Sequence, residues 1–244
     1  MRASIVLIGP LLARLGSVTF PHPGGEVIGE RPIDIFISGF QKLGASYLES
    51  GDSYTLSAPN GISGGEIFFR IVSVTATETF MMAGILAKGK TVIKNAAMEP
   101  EIVWLADLLN ASGAHISGAG TPVIVIHGGG LLAQKMPEFR VIPDRIEAGS
   151  FLILGALAAK KLVIKDIIPE HLESLIELLT YTGTEIIRGK DTITIMAPKK
   201  PKPLRAISLR THEYPGFPTD LQAPMMVYLT QAKGESLVFE TIFE

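Results

Sequence analysis

The chain has no cysteine and only one tryptophan in 244 residues. Without thiols it can build neither a disulfide framework nor a thiolate nucleophile, and it fits a reducing compartment. Long hydrophobic runs are also missing. The most apolar stretches, residues 3–13 and 149–159, are eleven residues each, whereas a membrane helix needs roughly twenty; both are expected to be buried helices. Arg2 followed by an apolar run faintly resembles a signal peptide, but Pro10 interrupts it and Arg14 closes it without a cleavage site. A net charge of −2 with no basic stripe argues against nucleic acid as the main partner. No H-E-x-x-H, C-x-x-C or carboxylate-rich spacing is present, so no metal is expected. His22, His115, His127, His171 and His212 are scattered surface or turn positions. Gly128-Gly129-Gly130 lacks the strand–turn–helix context of a dinucleotide loop and is expected to be a flexible turn. The expectation is a cytoplasmic protein with no cofactor, no membrane segment and no obligate protein partner.

Apolar residues make up 47% of the chain and charged residues 19%, enough for one large or two medium domains. A small residue followed by a cation recurs at Ala13-Arg14, Ala87-Lys88, Ala159-Lys160 and Ala232-Lys233, at intervals of 74, 72 and 73 residues. Each is followed by a β-rich segment: GSVTF, KTVIK, KLVIK and ESLVFET. Three helical segments, ISGFQKLGA, EIVWLADLLNASGA and HLESLIELLTYTGT, then end at Gly44, Gly113 and Gly183, spaced 69 and 70 residues apart. Glycine just past a helix is the left-handed stop signal. Pairs of alternating segments follow: SYLES and YTLSA, AHISG and VIVIH, TEIIR and TITIM, the last pair turning at Gly189-Lys190-Asp191. These read as hairpins.

The repeated unit is helix, strand, helix, strand, strand, with a further strand leading into the first helix. By that period the first unit starts inside its first helix, and the fourth stops after its first strand, so the chain is expected to be an interior piece of a longer protein. Strand-like FRVI ends at Pro143, and Asp144 is placed to cap the next helix. The expected domains are residues 1–142, with two units, and 143–244, with one and a fraction. KKPKPLRAI is expected to be a solvated cationic crossover.

Four stretches could carry chemistry. PGGEVIGERP places Glu26 and Arg31 on a glycine-rich loop, which is either a hairpin with a solvated carboxylate or a flap over a substrate. RPIDI opens a helix or strand and holds Asp34 in an apolar run. SVTAT precedes the helix TFMMAGILAKG and is either a plain N-cap or a place for phosphate oxygens on free N–H groups. YPGFPTDLQAP is stiffened by prolines and puts Asp220 at a helix start, as an N-cap or as a functional group.

In order along the whole chain, PGGEVIGERPIDIFISGFQKLGA, AAMEPEIVWLADLLNASGA, VIPDRIEAGSFL and YPGFPTDLQAPMM resemble the UDP-N-acetylglucosamine 1-carboxyvinyltransferases, enolpyruvyl transferases of peptidoglycan synthesis. The resemblance implies an α/β (α+β) fold: a two-lobed inside-out α/β barrel of strand-helix-strand-helix-strand-strand units, here incomplete at both ends. It implies transfer of the enolpyruvyl group of phosphoenolpyruvate to the 3-hydroxyl of UDP-N-acetylglucosamine, with release of phosphate. By motif position Asp220 matches the base or the residue orienting the sugar hydroxyl, and Glu26 stands at the proton donor. Arg31 matches a cation shared by both substrates, Pro32, Ile33, Asp34 and Ile35 line the uridine site, and Arg2 matches a cleft arginine. Ile71, Val72, Ser73 and Val74 would lie against the diphosphate, and Ile242 would offer backbone to the sugar.

Three departures bear on activity. Glu26 stands where the family usually has cysteine and sometimes aspartate, which keeps an ionisable donor but removes the nucleophile that epoxides alkylate, so insensitivity to fosfomycin is expected. Ile71 and Thr75 stand where lysine and glycine are common. A Lys-Asn pair near the start and arginines beyond ETIFE fall outside the 244 residues, so weak binding and slow or no turnover are expected of this chain alone. The alternatives are a catalytically impaired nucleotide-sugar binding protein, and an enolpyruvyl transferase with another acceptor.

Overall fold

The computed structural model describes residues 2–21, 33–132, 138–197 and 203–243. The chain divides into two units, Met1–Arg140 and Val141–Glu244, each with its own hydrophobic core.

In the first unit a 3-10 turn, Arg2–Leu7, runs into helix α1, Ile8–Leu15, which buries Ile8 and Leu12 and ends on left-handed Gly16. Strand β1, Ser17–Pro21, follows, and helix α2 spans Asp34–Lys42. Strands β2, Ser46–Ser50, and β3, Ser53–Ser57, complete an antiparallel sheet in the order β1-β3-β2. Strand β4, Glu66–Phe68, leads into helix α3, Val74–Gly84, then strand β5, Lys90–Lys94, and helix α4, Pro100–Ala111. Strands β6, Ile116–Ser117, and β7, Val123–His127, close a four-stranded sheet ordered β4-β5-β7-β6, with β4 parallel to β5. This is the full repeated unit, leading strand included.

The second unit repeats the pattern. Helix α5, Arg145–Ala158, strand β8, Lys161–Lys165, and helix α6, Glu173–Thr182, precede strands β9, Glu185–Arg188, and β10, Thr192–Met196. The sheet order β8-β10-β9 matches that of β1-β3-β2. Strands β11, Leu204–Arg205, and β12, Ser208–Arg210, then pass through helix α7, Gln222–Leu229, to parallel partners β13, Ala232–Lys233, and β14, Leu237–Phe239.

Gly44, Gly113 and Gly183 have φ of 91°, 101° and 110°, the left-handed region that costs an L side chain about 1 kcal/mol or more. A methyl group at any of the three would meet nothing within 4 Å. The demand is therefore purely one of backbone conformation, and it marks the end of α2, α4 and α6. Gly39 answers a different demand: a Cβ there would overlap the Phe80 ring, which packs against Phe36, Phe40 and Phe69 at centroid distances of 6.5, 4.6 and 5.8 Å.

Four expectations need correction. Residues 139–142, FRVI, form no strand; Phe139 packs edge-on against Trp104 and the Arg140 carbonyl accepts the indole N–H at 2.8 Å. The KKPKPLRAI crossover is structured at its end, because Leu204–Arg205 pairs with Ala232–Lys233 and Ile207 is buried; residues 198–202 lie outside the described residues. Gly128 is held rather than loose. Its N–H donates to the Gly89 carbonyl, and a Cβ there would overlap the carbonyls of Ala87 and Gly84. Finally, SVTAT does not precede α3 but forms its first turn. Ser73 is the cap, and the Thr77 and Thr79 hydroxyls donate to carbonyls four residues back, at 2.8 and 2.6 Å.

Candidate functional site

Each unit brings together stretches that the sequence separates. In the first, Ile33 precedes α2 and is buried, Asp34 starts the helix, and Ile35 packs partly on the core. Asp34 receives a hydrogen bond and ion pair from Arg70, Nη2 to Oδ2 at 3.0 Å. Arg70 immediately precedes Ile71, so this pair ties the RPIDI stretch to the IVSV stretch across 36 residues of sequence. Ile71 is 67% exposed. Val72 and Val74 lean on the core, and the Ser73 hydroxyl accepts the Ala76 N–H at 3.3 Å. Ser73 thus serves as an N-cap and consumes one of the free donors of α3.

The second unit presents Asp220 in the 3-10 turn Thr219–Leu221, ahead of α7. Neither the turn nor α7 has a side-chain cap, so Asp220 is not an N-cap. It is exposed and makes no hydrogen bond or ion pair within the described residues. Its neighbours are fixed. Leu221 is fully buried beneath α5, where Gly149 lets the helix approach: a Cβ at Gly149 would lie 2.6 Å from Leu221 Cδ1. Thr219 Oγ1 donates to Glu240 Oε2 at 2.8 Å. The preceding YPGFP segment is held by the Arg145 guanidinium 5.7 Å above the Tyr214 ring and by the Ser174 hydroxyl donating to the Gly216 carbonyl at 3.2 Å.

Glu240 also accepts at Oε1 from the Ile242 N–H at 2.7 Å, the Phe243 N–H at 3.2 Å and the buried Thr211 hydroxyl at 2.8 Å. Its partial burial would raise the carboxyl pKa. The donors from Ile242, Thr219, Thr211 and Phe243 together outweigh that and hold it below the usual carboxylate value. The Ile242 N–H is therefore engaged within the chain.

Glu26, Arg31 and Pro32 lie outside the described residues, as does the side chain of Arg2, which opens the first 3-10 turn. Reading the sequence alone missed Arg70, Thr219 and Glu240. Arg70 carried one usable signal, its place beside Ile71, which stands where lysine is common. Glu240 carried a weaker one, a carboxylate at the end of the apolar strand LVF. Among the described residues no group of three or more His, Asp or Glu side chains could hold a metal ion. No helix among them is long and apolar enough to cross a membrane. His115, His127 and His212 are exposed and His171 is half-buried; a shallow depression of about 350 Å³ beside His115 and His127 involves none of the candidate residues.

The chain is 46% identical over its whole length to UDP-N-acetylglucosamine 1-carboxyvinyltransferase 1 of Caldanaerobacter subterraneus subsp. tengcongensis, of which it covers 57%. It is 45% identical over its whole length to UDP-N-acetylglucosamine 1-carboxyvinyltransferase of Aliarcobacter butzleri, with the same coverage. The chain thus spans a little over half the length of these curated relatives. Among solved structures it superposes on the enolpyruvyl transferase NikO from Streptomyces tendae with a TM-score of 0.79 at 22% identity, covering 96% of this chain and 55% of that one. An EPSP synthase from Acinetobacter baumannii matches with a TM-score of 0.65 at 18% identity, covering 97% and 54%. These two likenesses establish the α/β fold. The model of the EPSP synthase (3-phosphoshikimate 1-carboxyvinyltransferase) family matches residues 1–244, and the chain belongs to that family.

Proposed function

We propose that the protein moves the enolpyruvyl group of phosphoenolpyruvate to the 3-hydroxyl of UDP-N-acetylglucosamine, releasing phosphate, in cytoplasmic peptidoglycan precursor synthesis. The observation that carries this reading is whole-length identity of 43–46% to relatives named for that activity. Two structural relationships support it. Asp34 and the Ile71–Val74 stretch are adjacent through Arg70, and Asp220 and Ile242 are adjacent through Glu240.

The chemistry divides among these groups. The sugar hydroxyl must lose a proton as its oxygen bonds to the central carbon of phosphoenolpyruvate, while the methylene carbon gains one. Phosphate then leaves, and the methyl carbon gives a proton back to restore the double bond. Asp220 suits the first task, because its exposed carboxylate is not engaged by any described residue. Glu26, by its motif position, takes the second. Arg31 and Arg2 stabilise the carboxylate and phosphate of phosphoenolpyruvate. Ile33, Asp34, Ile35 and Val72 to Val74 shape the nucleotide site, with no metal or cofactor required.

The test is phosphate release from phosphoenolpyruvate by the intact gene product, with UDP-N-acetylglucosamine or shikimate 3-phosphate as acceptor. Release that depends on the nucleotide sugar supports the proposal. Release only with shikimate 3-phosphate, or with neither acceptor, refutes it.

A further inference from the structure

We propose that Glu240 is a positioning residue whose two carboxylate oxygens fix, together, the Thr219–Asp220 turn and the Ile242–Phe243 backbone. Its relevance to acceptor binding rests on the function proposed above, but the geometry stands independently. Oε2 receives the Thr219 hydroxyl at 2.8 Å, and Oε1 receives the Ile242 N–H, the Phe243 N–H and the Thr211 hydroxyl at 2.7, 3.2 and 2.8 Å. Four donors on one carboxylate leave little freedom in its plane, and charge-assisted bonds of this kind are the strong ones. Thr211, fully buried, extends the lock: its hydroxyl accepts the Thr241 N–H at 2.9 Å, and its carbonyl accepts the Thr241 hydroxyl at 2.5 Å.

Asp220 has no described partner that orients it directly, so its neighbours must do so. Leu221 is pinned in the core under Gly149, and Thr219 is pinned by Glu240. The same carboxylate sets the backbone at Ile242. The separation between the group that meets a sugar hydroxyl and the backbone beyond β14 is therefore fixed by one side chain. Glu240 touches no reacting atom in this account; it acts through Thr219 and Ile242. Among the described residues, the other charged or titratable groups beside the network are Asp220, Arg210, whose guanidinium lies 5.7 Å from the Phe239 ring centroid, and His212 and Glu213, which form their own contact at 3.4 Å.

Variants separate the arms. Thr219→Val removes only the Oε2 bond, and Thr219→Ser retains it. Glu240→Gln is isosteric and lets the amide oxygen keep the three Oε1 bonds, but it abolishes the titration. The experiment is a pH titration of the ¹⁵N-labelled chain by amide NMR in an Asp220→Asn background, which removes that residue's own ionisation. The amides of residues 219–221 and of Ile242 and Phe243 are expected to shift through one common midpoint that Glu240→Gln eliminates. Thr219→Val should detach residues 219–221 from that midpoint while leaving Ile242 and Phe243 on it, and Thr219→Ser should restore them. Amides at 219–221 that follow no Glu240 midpoint, or that ignore Thr219→Val, overturn the proposal. With Asp220 intact, the UDP-N-acetylglucosamine dissociation constant should rise about tenfold in Thr219→Val and stay near the wild-type value in Thr219→Ser. These dissociation constants are read on the intact gene product; if its wild-type form binds no nucleotide sugar the proposed function fails, and the titration still decides the role of Glu240.

Discussion

The Arg70 guanidinium lies 3.0 Å from the Asp34 carboxylate and joins the start of α2 to the segment ahead of α3. Both partners are largely exposed, at 82% and 57% of the side chain, so the pair adds little to stability, well under about 1 kcal/mol after solvent screening. Arg70→Ala and Asp34→Asn should therefore leave the unfolding midpoint nearly unchanged. If the stretch from Ile71 to Val74 meets the nucleotide, both variants should still weaken UDP-N-acetylglucosamine binding by isothermal titration calorimetry. Loss of stability with binding retained would assign the pair to the scaffold.

Gly149 makes room for Leu221, with no slack for a methyl group. Gly149→Ala should cost about 1–3 kcal/mol in urea unfolding, the usual penalty for overpacking a core. It should also displace the turn that carries Asp220. A neutral substitution would show that α5 can retreat from the turn without consequence.

Tyr228 is fully buried, and its hydroxyl lies 2.6 and 2.8 Å from the hydroxyls of Thr182 and Thr184. Since the Thr182 hydroxyl donates to the Leu179 carbonyl, the Tyr228 O–H donates to Thr182 and accepts from Thr184. Tyr228→Phe should cost about 1–3 kcal/mol, because it leaves the buried Thr184 hydroxyl without its acceptor. The double variant Tyr228→Phe with Thr184→Val should recover part of that loss.

Glu78 and Glu240 predict opposite pH slopes. Burial first, then the charges of Glu101 and Glu99, raise the Glu78 pKa, so the folded chain binds its proton more tightly than the unfolded chain. The stability this contributes is full below the unfolded value and is lost as pH rises through the folded one. Glu78→Gln should therefore stabilise the chain near neutral pH and flatten that decline. Glu240, held low, contributes stability above its unfolded value that disappears as pH falls through its folded one. Chemical denaturation across about pH 3 to 8 separates the two slopes.

The repeat was legible because its punctuation is local. Left-handed glycines at Gly44, Gly113 and Gly183, an N-cap at Asp144 and alternating hairpin strands each state their own conformation. Residues 139–142 were misread because FRVI alternates like a strand, while a tertiary contact from Trp104 claims its backbone. The candidate site was legible only as stretches. Arg70 and Glu240 act across 36 and 21 residues, to Asp34 and Thr219, and no local pattern announces such pairings. For Asp220, a position at a helix start suggested capping, yet the first turn binds no side chain and the carboxylate stays available.

The proposed role of Glu26 as proton donor carries its own prediction. A carboxylate in that position is a far poorer nucleophile toward an epoxide, so fosfomycin should not inactivate the intact gene product with time. Time-dependent covalent modification, read by mass spectrometry, would oppose the assignment.

The most direct measurement is phosphate release from phosphoenolpyruvate in the presence of UDP-N-acetylglucosamine by the intact gene product, beside its Asp220→Ala and Glu26→Ala variants. The account predicts nucleotide-sugar-dependent release that falls by at least about a hundredfold in both variants, the usual scale of a lost general acid or base. Full activity in Asp220→Ala, or release that ignores the nucleotide sugar, would contradict it.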